Sequence, residues 1–134
     1  ALIFPGGTGM AKNLFDYAMT GPNCNVISDV EGLTRDIIEA GKPLGAICIA
    51  PVMVAKVLQN MGRKGKVTGG CNEQINTDIQ TMGIEAEQAG AKDIVVDEKN
   101  KIVSTPAYVE ANSIMEVAEG IEKLVSKVLE MVEF

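Results

Sequence analysis

The run Gly45-Ala46-Ile47-Cys48-Ile49-Ala50-Pro51 sets a cysteine between a short apolar segment and a helix opening. Small residues around it admit a tight strand-to-helix turn that pushes the side chain out at the C-terminal end of a sheet, as in a nucleophile elbow. Open α/β sheets bind their ligands at that end. A thiol at a helix N-terminus has its thiolate favoured by the helix dipole. The Ile49 amide then points to where an oxyanion forms. The pattern is not specific, because a buried cysteine packed as a small hydrophobe fits the segment equally well. A second turn, Pro5-Gly6-Gly7, follows the apolar stretch Leu2–Phe4. Amides in a glycine-rich turn after a strand can face an anion. The chain has neither a G-x-G-x-x-G nor a P-loop pattern there, so a plain tight turn is the simpler reading and a nucleotide site is not indicated.

Other residue types narrow the chemistry by their absence. The 134 residues contain no His, which removes Cys–His and Ser–His pairs and His-ligated metal from within this chain. Cys24, Cys48 and Cys71 are far apart and form no C-x-x-C, so neither a disulfide framework nor a zinc site is supported. No metal and no cofactor are expected. Unpaired cysteines fit a reducing compartment, with the cytoplasm as the expected location. Twelve basic and 18 acidic residues give a net charge of −6, unsuited to nucleic acid or an anionic membrane. No apolar run approaches the ~20 residues that span a bilayer. With 46% hydrophobic and 22% charged residues, the composition fits one globular domain over residues 1–134.

These candidates need elements to hold them. Leu2–Phe4 reads as a buried strand, and a buried parallel strand needs neighbours and helices on both faces. The expectation is therefore that the chain is the C-terminal part of a longer one. Residues 12–19 suggest a short helix, ended by Gly21-Pro22-Asn23. Ser28 is a candidate cap, with Glu31 three residues on, for a helix running to Gly41. Leu44–Ile47 reads as a strand, and Pro51 opens a helix over 52–60. Residues 66–68 suggest a strand, 69–72 a loop, and 77–88 a helix weakened at Gly83. Residues 93–96 and 101–104 form a hairpin. Residues 110–133 form a long helix with Ile114, Val117, Ile121, Leu124, Val125, Val128 and Leu129 as its apolar stripe. Alternating strands and helices imply an α/β fold with a mostly parallel sheet.

Taken in order, Phe4-Pro5-Gly6-Gly7, Ala11-Lys12-Asn13-Leu14, Ala40-Gly41-Lys42-Pro43-Leu44-Gly45 and the Cys48 elbow resemble the DJ-1/PfpI superfamily. Asp93-Ile94-Val95-Val96-Asp97, Asn100-Lys101-Ile102-Val103 and Thr105-Pro106-Ala107-Tyr108 narrow the resemblance to the ES1/ElbB branch, also described as isoprenoid-biosynthesis proteins with an amidotransferase-like domain. The likeness runs from Leu2 to about Val132. It implies a flavodoxin-like, class I glutamine amidotransferase-like sandwich that lacks its N-terminal portion here. It implies Cys48 as the reactive cysteine and Gly7, beside Gly6, with the Ile49 amide as an oxyanion pocket. Cys71, Thr105 and Tyr108 fall on segments that line that pocket; for Cys71 a plain loop role is the stronger reading, and for Tyr108 packing elsewhere fits as well. Glu73 and Asp78 are further carboxylates within reach of such a pocket, with solvated loop charges as the default.

The superfamily's partner Glu lies near the end of a first strand, and no position here matches it. The His that follows the cysteine in PfpI-type proteases is Ile49 here, and no late His completes an amidotransferase triad. Glutaminase and protease activities are therefore disfavoured. The segment 68–71, where DJ-1 relatives often carry a His, has none either. The resemblance implies a cofactor-free, glyoxalase III-like conversion of methylglyoxal or glyoxal through Cys48. The alternative is a redox-responsive or binding protein with a reactive but non-catalytic Cys48. The superfamily habit implies a homodimer, and some eukaryotic relatives are mitochondrial.

Overall fold

The computed structural model describes residues 1–110 and 113–132. Its main sheet is built on β2 (Leu44–Ile47), every residue of which is buried. β1 (Leu2–Phe4) pairs parallel with one edge of β2, and β6 (Ile102–Thr105) pairs parallel with the other. β5 (Val95–Asp97) closes the hairpin antiparallel to β6, giving the order β1-β2-β6-β5. Because strand side chains alternate between faces, Leu44 and Ala46 enter one apolar cluster and Ile47 enters another. The first cluster holds α3 (Ser28–Glu39) and α4 (Ala50–Asn60). The second holds α6 (Ile114–Met131). A strand covered on both faces reads as an unbroken apolar run, as 44–47 does. Gly45 is small because α6 lies on it: a Cβ there would meet Leu124 Cδ2 at 2.9 Å and Ile3 Cγ1 at 3.1 Å.

The predicted strands recur, with the boundaries of 66–68, 93–96 and 101–104 moved by one or two residues. Helices differ more. In place of one helix over 12–19 there are two, α1 (Thr8–Asn13) and α2 (Tyr17–Thr20), followed by a 3-10 turn at Gly21–Asn23. The break falls at Phe15, which is buried and bridges to Val26, so burial of that ring draws the backbone out of the helix. Ser28 is the first residue of α3 and not its cap; Ile27 holds the cap position, without a side-chain bond.

The helix expected over 77–88 is α5 (Glu73–Thr81). Asn72 Oδ1 accepts from the Ile75 amide and starts the helix early. Gly83, at φ +81°, sits just beyond its end. Residues beyond it form β4 (Glu85–Ala86), paired parallel with β3 (Lys66–Val67). The final helix is capped by Ser113, not begun at Glu110; the expected end at Glu133 lies outside the described residues. Of its stripe, Val117, Leu124 and Val128 are buried, whereas Ile114, Val125 and Leu129 are exposed. No helix among the described residues is long and apolar enough to cross a membrane.

Candidate active site

β2 ends at Ile47 and α4 begins at Ala50, so Cys48 and Ile49 alone reverse the chain. Cys48 does so at φ +64°, one of three positive-φ positions held by a residue other than glycine among the described residues. That conformation costs a side-chain-bearing residue ~1–2 kcal/mol. The Cys48 amide donates to Thr105 O at 3.0 Å, adding one rung to the β2–β6 ladder. That amide is thus spent on structure. The Ile49 amide has no acceptor among the described residues and remains open at the head of α4.

Gly6 explains why the Pro5-Gly6-Gly7 turn lies against this elbow. A Cβ on Gly6 would sit 2.5 Å from Ile47 O and 2.9 Å from Cys48 Cβ. Its φ of +84° adds a second reason for glycine. Gly7, at φ +100°, faces open space and passes the chain into α1, its carbonyl accepting from the Ala11 amide. Across the opening runs a 3-10 turn, Ala107–Val109, that begins at a buried alanine held at φ +46°. These three segments enclose a cleft of about 490 Å³ lined by Pro5, Gly6, Gly7, Thr8, Ala11, Cys48, Ile49, Tyr108 and Val109. Cys48 is half-buried in its wall.

The structure therefore gathers Gly6, Gly7, Cys48, Ile49 and Tyr108 around one cleft, with Tyr108 66% exposed at the rim. Thr105 and Cys71 do not line it. Thr105 is fully buried; its carbonyl holds the Cys48 amide and its hydroxyl donates to Asp93 O at 2.7 Å, so it supports the elbow from behind. Cys71 is exposed, and its amide donates to Glu110 Oε1 at 2.6 Å. Asp78 is buried elsewhere, accepting from Tyr17 Oη and from Gln74 Nε2, and Glu73 opens α5. Cys24 lies in the core, where burial pushes its thiol pKa up. Thr8, Ala11 and Val109 also line the cleft, beyond the residues to which the sequence points. Ala11 lies in a motif that carries the resemblance, but nothing local marks it. Among the described residues no cluster of His, Cys, Asp and Glu could hold a metal ion.

The chain is 41% identical over 140 residues to the human glutamine amidotransferase-like class 1 domain-containing protein 3, mitochondrial, covering 98% of this chain and 51% of that one. It is 36% identical over 141 residues to the rat ES1 protein homolog, mitochondrial, with the same coverage of 98% and 51%. Over nearly its whole length the chain is thus similar to one half of the ES1 proteins. No protein-family model matches it. Its backbone superposes with a TM-score of 0.83, at 29% identity, on an isoprenoid biosynthesis protein with an amidotransferase-like domain from Ehrlichia chaffeensis. That match covers 98% of this chain and 59% of the other. The chain thus has the flavodoxin-like, amidotransferase-like α/β arrangement. It spans about half the length of the curated ES1 relatives it matches.

Proposed function

We propose that the cleft carries the cysteine chemistry of a cofactor-free, glyoxalase III-like reaction on 2-oxoaldehydes. The observation that supports it is Cys48 held at positive φ, half-buried in a cleft beside an unengaged helix-head amide. The Cys48 thiolate attacks the aldehyde carbon and the C–O π pair moves to oxygen, giving a hemithioacetal. The Ile49 amide, with the Gly7 turn opposite, stabilises that oxygen. A base removes the C1 proton and a proton returns at C2, converting the adduct to a 2-hydroxy thioester. Water then cleaves the C–S bond, releasing the 2-hydroxy acid and the thiol. The sum is aldehyde plus water to hydroxy acid, with no external oxidant. No Asp, Glu, Lys or Arg is among the described lining residues, so the base comes from outside this set.

The test is hydroxy-acid formation from methylglyoxal by the intact protein and its Cys48→Ser variant. A loss of at least about 100-fold, with the folded spectrum unchanged, is expected, because the nucleophile opens every later step. Equal rates overturn the reading.

The lack of an acidic or basic side chain among the described lining residues favours a second reading, a redox-responsive protein in which Cys48 oxidises but does not turn over substrate. Peptide mass spectrometry after mild peroxide then shows oxidation concentrated on Cys48; uniform oxidation of all three cysteines rejects it. The curated relatives are mitochondrial by name, which supports a mitochondrial location over the expected cytoplasmic one.

A further inference from the structure

We infer that the Cys48 cleft selects neutral 2-oxoaldehydes with an apolar alkyl or aryl arm, over glyoxal and over anionic oxoacids. This deepens, and rests on, the aldehyde reading above. Two observations carry it. The first is size. Methylglyoxal has five heavy atoms and fills on the order of 100–150 Å³, at about 30 Å³ for a water-sized group. The cleft offers about 490 Å³, within the range of sites that hold much larger ligands.

The second is the chemistry of the walls. Ala11, Ile49, Val109, Pro5 and the Tyr108 ring present carbon, and no charged side chain faces them among the described lining residues. A carboxylate or phosphate placed there loses its hydration and gains no cation in return. An alkyl or aryl arm instead removes apolar surface from water on both sides. Backbone amides at the Gly7 turn and Ile49 fix the carbonyl end beside Cys48, leaving the arm to run toward Ala11 and Tyr108.

The experiment has two parts, both on the intact protein. In the first, Cys48 is alkylated with iodoacetamide, iodoacetate and N-benzyl-iodoacetamide, which share one reactive carbon and differ in their arms. The exposed Cys71 serves as the internal reference. Relative to Cys71, Cys48 should favour the benzyl reagent over iodoacetamide by about tenfold, the discrimination of one well-buried apolar group, and should disfavour iodoacetate. Equal reagent ratios at the two cysteines overturn the inference. In the second, kcat/KM is compared for glyoxal, methylglyoxal and phenylglyoxal. Phenylglyoxal should lead by about tenfold, chiefly through KM. Cys48-dependent turnover that favours glyoxal overturns the inference and leaves the aldehyde reading standing. Benzyl preference at Cys48 without turnover of any aldehyde supports the apolar-arm cleft and rejects the aldehyde reading.

Discussion

The two ends of the β2–β6 pair are built on opposite terms. At the end where β6 begins, Asp97 and Asn100 are buried and fully engaged. Asp97 accepts from the Lys66 and Asn100 amides at 3.0 and 3.1 Å, and Asn100 Nδ2 donates to Lys64 O and to Asp97 Oδ2. At the end where β2 gives way to α4, Cys48 keeps its thiol in an open cleft and the Ile49 amide has no acceptor among the described residues. Both ends hold residues other than glycine at positive φ: Lys101 at +57° in the first, Cys48 and Ala107 in the second. Backbone strain is thus common to both, and among the described residues the second pairs it with a thiol open to the cleft and an amide without an acceptor. That pairing, more than the strain, marks the site.

The comparison can be broken most severely at its tightest contact. Gly6→Ala adds a Cβ within 2.5 Å of Ile47 O at a φ of +84°. Overpacking and positive-φ costs together lower stability by about 3 kcal/mol, and the Cys48 cleft opens or deforms. Chemical denaturation checks the first effect and Cys48 alkylation rate the second; an unaffected variant means the two turns are not in contact.

At the polar end, Asp97→Ala strands the Lys66 and Asn100 backbone amides, costing ~2 kcal/mol. Its Cys48 alkylation rate stays at the wild-type value, because the lock and the cleft are at opposite strand ends. A matching fall in reactivity would show that the two ends are coupled.

Relief of strain gives a smaller and opposite effect. Lys101→Gly and Cys48→Gly should each relieve about 0.5–1 kcal/mol of backbone strain, since glycine populates positive φ freely, against which the lost side-chain contacts count. The former should leave thiol chemistry intact and the latter abolish it. Ala107→Gly also loses a buried methyl worth ~0.8 kcal/mol, so it should come out near neutral. Thermal melts of the three variants, read side by side, test this ordering.

The mildest expected effect is on pH dependence. Burial and, to a smaller extent, the hydrogen bond to Asp78 raise the Tyr17 phenol pKa, and burial raises the Cys24 thiol. Both groups hold their protons more tightly folded than unfolded. Their contribution is complete below the ordinary thiol and phenol values of about 8.5 and 10, and fades as pH rises through the raised ones. Denaturation midpoints should fall progressively above about pH 9, less steeply in Tyr17→Phe. At the acid end, hydrogen bonds from the Asn25 backbone and Thr20 lower the Asp16 pKa, so its share is present above the ordinary carboxylate value and lost below it. An identical alkaline slope in wild type and Tyr17→Phe contradicts the assignment.

Local patterns carried much of the fold. The apolar runs at 2–4 and 44–47, Pro51 at a helix start and the hairpin around 97–100 needed no tertiary knowledge. The errors fall where long-range burial overrides local preference. Phe15 leaves a helix to enter the core, and residues past Gly83 leave one to pair with β3. At the site, motif order points to Gly6, Gly7, Cys48, Ile49 and Tyr108, which line the cleft, and also to Thr105 and Cys71, which do not. A sequence shows that Thr105 ends a strand, but not that its hydroxyl turns to Asp93 and only its carbonyl reaches Cys48.

The sequence alone determined the strand–cysteine–helix order, the net charge and the absence of His from these 134 residues, because composition and short-range spacing need no partner. Tertiary structure decided which residues share the cleft. Gly6 and Ile47 are distant in the chain yet leave no room for a Cβ between them, and Tyr108 and Val109 line the same cleft as Cys48 because β6 lies beside β2. Proximity of that kind is set by packing density and register, which no single segment encodes.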